Sequence, residues 1–270
     1  MLMKEGMKAL SPYQVATIRI LSAGLVMIPF FIKAYKQIPA DKRGYVILSG
    51  TIGSFIPAYL FCLSEIKIDS SLVGMLNALT PLFTIVVGIL FFDMKVVRRQ
   101  LMGITIGFIG MILLLTPKGN FGLQEFGYAS LVLLATFLYG INVNVVHKTL
   151  KDTSSINIVA FAFPSLLIPC IAILAKTGFF NQMIHSPGKQ FLLSTAAAFV
   201  LGSVGTAFAT VYFYRLMKRA GIVFASMVTY GIPFIAVAWG LILGETLSAL
   251  EMISLFIILA GVGLCSKRHH

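Results

Sequence analysis

The residues in this chain best equipped for chemistry are few, and most sit in apolar surroundings. Arg19 lies seven residues after Pro12 in the run PYQVATIRILSAGLVMIPF. If Pro12 opens a helix, the rise per residue puts Arg19 about 10 Å along it. A charge at that depth costs about 2.5–3.5 kcal/mol on insertion scales and calls for a partner or a cavity. Its planar donors suit a substrate carboxylate or phosphate. Pairing with Glu65, or bending of the side chain toward the interface, satisfies the charge equally well. Asn77, Thr80 and Pro81 cluster in one apolar run, and Thr229, Tyr230 and Pro233 in another. Each proline lacks an N–H and displaces the carbonyl four residues back, that of Asn77 or of Thr229. Backbone off the helical ladder is tolerated at membrane depth where it is buried in protein or lines a cavity. These residues therefore either flank a substrate path or form packing kinks satisfied by neighbouring helices. Tyr139 and Asn142 are three apart and share a face, whereas Asn144 points elsewhere. Tyr212 and Trp239 are aromatic candidates, the sole tryptophan being an interface anchor or a lid. One positive charge, some amides and hydroxyls, and aromatic walls make a binding chemistry. No metal-ligand spacing, P-loop or nucleophile elbow occurs, so neither an enzyme nor a metal or cofactor is expected.

The elements that position these residues are membrane spans. Of 270 residues, 58% are hydrophobic and 11% charged, less than half the charge of a typical soluble domain. Mean hydropathy is +0.95. The apolar runs are continuous rather than alternating, which excludes a membrane β-barrel. The sequence predicts an all-α integral membrane protein with nine spans, near 12–34, 44–64, 71–92, 97–116, 127–147, 155–175, 190–214, 222–244 and 247–266. Ser11 is the expected cap of the first, with Pro12 in its first turn. The segment 176–189, with Gly178, Asn181, Pro187 and Gly188, reads as a loop. Residues 1–11 lack a cleavage site and are not a signal peptide. Cys62, Cys170 and Cys265 all fall in apolar spans and read as packing residues.

Residues 50–93 and 202–245 are two versions of one pattern, offset by 152 residues without a gap. Gly50 and Gly53 match Gly202 and Gly205, Pro81 matches Pro233, Gly88 matches Gly240, and Asp93 matches Glu245. Only six of 44 columns are identical, but the backbone punctuators coincide together, which points to internal duplication. The halves are then 1–119, with four helices, and 120–270, with five. The second half has an opening helix that the first lacks, so the expected complete architecture is five plus five, with this chain starting one helix late.

The net charge of +12 has a topological cause. Fourteen Lys and Arg, among them Lys33, Arg98, Lys148 and Lys218, fall on one side of the expected spans and six on the other. The richer side is cytoplasmic. The C-terminus is then inside and residue 1 outside, and five-helix copies must face opposite ways, forming an inverted-repeat bundle. Nucleic acid is not an expected partner. The lipid bilayer is, with a small-molecule substrate. A coupling proton, a counter-substrate and a homodimer stay open. The Gly103–Gly107 pair, with Gly110, suits close packing within the bundle better than a dimer face.

The pieces LSPYQVATIRILSAG, SSLVGMLNALTPLFTIVVGILFFD, QLMGITIGFIGMILL, GIVFASMVTYGIPFIAVAWGLILGE and MISLFIILAGVGL carry a resemblance. In this order and double occurrence, the chain resembles the drug/metabolite transporter superfamily, in its ten-helix branch with two EamA-type repeats. The family often has Arg where Arg19 stands. It usually has Glu where the first copy has Asp93. The resemblance implies a carrier of the cytoplasmic (inner) membrane that exports metabolites or amino-acid-like compounds. Lipid or lipid-carrier translocation, and an inactive or assembly-dependent form lacking a helix, are the alternatives.

Overall fold

The computed structural model describes residues 2–94, 97–115, 123–185, 188–222, 225, 228–242, 244 and 248–266. Among them every regular element is helical. In chain order these include α1 (Leu2–Gly6), α2 (Pro12–Gln37), α3 (Ala40–Gly50), α4 (Ile56–Ser64), α5 (Ser70–Asn77), α6 (Thr80–Phe92), α7 (Arg98–Leu114), α8 (Leu123–Thr149), α9 (Ser155–Ser165), α10 (Leu167–Lys176), α11 (Phe179–His185), α12 (Lys189–Gly202), α13 (Ala209–Ala220), α14 (Gly231–Ile242) and α15 (Ala249–Ser266). Among the described residues six helical stretches are long and apolar enough to cross a bilayer: Pro12–Gln37, Ala40–Ser64, Ser70–Phe92, Gln124–Thr149, Ser155–Lys176 and Lys189–Ala220. The other three expected spans coincide with shorter helices, α7, α14 and α15. The expected loop at 176–189 is corrected in part, because it contains α11. Gly178, at φ 72°, ends the preceding helix, and its carbonyl accepts from Gln182 N to begin the next. Phe179 then packs on Phe191 with ring centroids 5.4 Å apart.

Local chemistry sets the helix ends. Ser11 and Gln14 form a reciprocal capping box on α2, with Pro12 in the first turn as expected. Ser248 and Glu251 do the same for α15. Asp93 ends α6 in the left-handed region, at φ 55° and ψ 30°. In the second copy Gly244 takes a positive φ of 83°, one residue before the position that matches Asp93. Glu245 itself lies outside the described residues.

Two helices carry a wide π-turn, at Thr51–Phe55 and at Ser203–Phe208. With the 152-residue offset these begin at the same repeat position, directly after Gly50 and Gly202. Pro57 follows the first turn, whereas Ala209 stands at the matching place in the second. The π-turn therefore belongs to the repeat and not to a proline.

The chain forms two compact units, which are not its two sequence halves. The first comprises Met1–Leu63 and Val145–Arg219, the second Ser64–Asn144 and Ala220–His270. In the first unit α2 packs on α9, α10 and α12, α3 packs on α9, and both π-turns meet α2. In the second, α7 packs on α15 and α5 on α14. A Cβ on Gly261 would stand 2.6 Å from the Gly103 carbonyl and 2.5 Å from the Gly107 amide. The Gly103–Gly107 face is thus filled by α15 of the same unit. Cys62 and Cys170 are buried in the interior; the Cys265 side chain lies outside the described residues.

Candidate functional site

Arg19 lies two turns into α2, on a helix gripped from two sides by π-turns. Its Nε donates to Thr206 Oγ1 at 2.7 Å, inside the second π-turn. The Thr206 hydroxyl donates in turn to the Leu201 carbonyl at 3.3 Å, so its lone pair is what receives the guanidinium. The approach is close because residue 202 is glycine. A Cβ there would collide with Ser22 Oγ and with the Arg19 carbonyl, whose carbon would be 2.7 Å away. Ser22 Oγ donates to that carbonyl at 3.1 Å. At the other π-turn, Phe55 packs on Tyr59 at 5.0 Å, and Tyr59 on Tyr13 at 6.3 Å. Thr17 Oγ1 donates to the Tyr13 carbonyl at 2.6 Å, which leaves the Tyr59 hydroxyl, also 2.6 Å away, to donate to Thr17. Among the described residues of this unit no acidic side chain pairs with Arg19. Glu65 belongs to the other unit.

Tyr212 shares the unit of Arg19 and is 66% exposed on α13, with the hydroxyl of its neighbour Tyr214 bonded to Ser49 at 2.9 Å instead. Asn77, Thr80, Pro81, Tyr139, Asn142, Thr229, Tyr230, Pro233 and Trp239 all belong to the second unit.

In that unit the expected mid-span kink at Pro81 is an interruption. α5 stops at Asn77, residues 78 and 79 make i→i−3 bonds to Met75 and Leu76, and Pro81 sits in the first turn of α6. There its missing N–H costs no ladder bond. The carbonyl it frees, that of Asn77, receives the Thr80 hydroxyl at 2.8 Å. The second copy repeats the device. A 3-10 turn at Val228–Tyr230 runs into α14, where Pro233 is the third residue and is buried. The two interrupted helices pack together: α5 is buried along its whole length, and its Gly74 abuts Ala236 of α14.

The polar face of α8 divides. Asn144 donates to the Thr84 carbonyl at 2.8 Å and to the Gly140 carbonyl at 2.9 Å, tying α8 to α6. Asn142 is buried and Tyr139 half-buried on the same helix. Trp239 and Thr229 are half-buried, and the Tyr230 side chain lies outside the described residues. Sequence reasoning passed over Thr206, Thr17 and Tyr59. Their only signal was a hydroxyl in an apolar run beside a repeat glycine, or a hydroxyl pair on separate helices.

Several known proteins are similar to this chain. A protein of Escherichia coli K12 named as an uncharacterized inner membrane transporter, YedA, is 25% identical over 262 residues, 96% of this chain and 83% of its own. A Salmonella typhimurium protein named as a probable amino-acid metabolite efflux pump is 24% identical over 266 residues, covering 96% and 87%. An uncharacterized transporter of Helicobacter pylori is 25% identical over 222 residues, covering 80% and 68%. One protein of known crystal structure shares the fold, with a TM-score of 0.60 at 17% identity over 98% of this chain and 90% of that one. The family model of EamA-like transporters matches twice, at residues 1–116 and 127–267. The chain belongs to the EamA-like transporter family and is a multi-pass membrane transporter.

Proposed function

We propose that this protein exports small metabolites of amino-acid type across the inner membrane by alternating access. The observation that carries the reading is Arg19: a guanidinium within a span, with no acidic partner among the described residues of its unit, in a chain whose Salmonella relative is named for amino-acid metabolite efflux. Substrate would engage Arg19 on one part of its path. Asn77, Thr80, Pro81, Tyr139, Asn142, Thr229, Tyr230, Pro233, Trp239 and Tyr212 are the further candidates for its polar and aromatic lining. The two EamA-type halves would be inverted copies, residues 1–119 and 120–270, and their rearrangement would expose the substrate to each side in turn. The C-terminus would be cytoplasmic. Energy would come from a substrate or ion gradient.

The test compares metabolites in medium and cytoplasm for cells producing this chain and for cells carrying an empty vector. Export predicts that one class of carboxylate-bearing metabolites moves outward when the chain is inserted. Unchanged distributions, with insertion verified, would refute it.

A further inference from the structure

The reading of Arg19 can be sharpened to a recognition geometry, one that rests on the export reading only for the statement that its ligand is the transported molecule. We propose that the two terminal amino groups of Arg19 form an end-on carboxylate subsite, held in aim by Thr206 of the second π-turn. The guanidinium has two edges that match a carboxylate: the side edge, Nε with one Nη, and the end edge, both Nη groups. Thr206 occupies the side edge through Nε at 2.7 Å. Among the described residues of its unit, Nε is the only Arg19 donor with a hydrogen-bond partner, so the end edge keeps its parallel donors.

Position is fixed as well as direction. Gly202 lets the Arg19 backbone lie against the start of the π-turn, and Ser22 bonds the Arg19 carbonyl at 3.1 Å. Any side chain at 202 would push α2, and Arg19 with it, away from Thr206. Counted from the caps Ser11 and Ser154, the other copy has Ala162 at the place matching Arg19; it is buried, and Gly50 abuts it as Gly202 abuts Arg19. The repeat fold therefore needs no charge there, and the cation is an addition to one copy alone.

Charge count selects the anion. In α2 no other charged residue occurs between Lys8 and Lys33, and the runs 44–64, 155–175 and 190–214 of the same unit contain none. A single cation among these apolar runs balances a monoanion. A carboxylate carries one charge, whereas a phosphate monoester approaches two at neutral pH and would leave one uncompensated.

The test is phenylglyoxal labelling of Arg19 in the purified full-length chain, read by peptide mass spectrometry. Acetate, acetamide and inorganic phosphate are compared at equal ionic strength. Acetate is expected to slow labelling of Arg19 about tenfold, the scale of a hydrogen bond to a charged group, with acetamide inert and phosphate much weaker. Thr206→Val should leave Arg19 reactive but remove most of the acetate protection, and Thr206→Ser should restore it. Equal protection by acetate and acetamide, stronger protection by phosphate, or undiminished protection in Thr206→Val would each overturn the proposal. Acetate protection in a chain that moves no metabolite would sink the export reading alone. Export undiminished in Arg19→Gln would sink the subsite alone.

Discussion

Asp93 adopts φ 55°, a conformation that costs an ordinary side chain about 1–2 kcal/mol. Its N–H and that of Met94 both return to the Gly88 carbonyl, closing the end of α6. Asp and Gly tolerate this backbone and a β-branched residue does not. Asp93→Gly should therefore leave thermal stability in detergent unchanged or raised, while Asp93→Val should lower it by about 1–2 kcal/mol. An equal loss in both variants would show that the carboxylate, and not the backbone, closes the helix. The sequence marked Asp93 as a terminator because an acid follows thirteen apolar-run residues, Thr80–Phe92. The turn geometry was not legible, since the second copy places its left-handed residue one position earlier, at Gly244. Arg19 was legible for a similar reason, as a charge where charge is costly. Its partner Thr206 was not, because hydroxyls in spans are common and the contact crosses 187 positions of chain.

Among the elements, hydropathy located the spans but not their interruptions. It records composition and is blind to hydrogen-bond register, so the π-turns after Gly50 and Gly202 and the step at residues 78–79 left no trace in it. The repeat glycines were the visible sign, and their physical use is close approach. Gly261 illustrates how strict that use is, because the atoms facing it belong to the backbone of α7 and cannot rotate away. Gly261→Leu should destabilise the protein by about 1–3 kcal/mol or more as α7 and α15 are forced apart. Gly127, on α8 with nothing within 4 Å of a built Cβ, is the control. Gly127→Ala should be neutral or stabilising by about 0.5–1 kcal/mol. Similar losses at both sites, measured by thermal unfolding in detergent, would contradict the packing account.

For the whole molecule, the duplication was legible as two consecutive halves, and the comparisons match the family model twice along the chain. The compact units cut across this division. α2 of the first half packs with α9 and α12 of the second, α5 packs with α14, the later counterpart of α6, and α7 packs with its own later counterpart α15. A pattern of matching punctuators reveals that two copies exist, but it contains no information on which copy packs against which. The proposed function rests at this scale on a cation in one copy where the other has the apolar Ala162, an asymmetry that suits a carrier selecting one anionic group. The most direct test of that account is efflux from liposomes loaded with an equimolar mixture of the common amino acids, with and without the reconstituted full-length chain, read by mass spectrometry of the external solution. The account predicts faster release of a subset of carboxylate-bearing compounds, and loss of that release in Arg19→Gln inserted to the same level. Release indistinguishable from protein-free liposomes, with correct insertion verified, would contradict it.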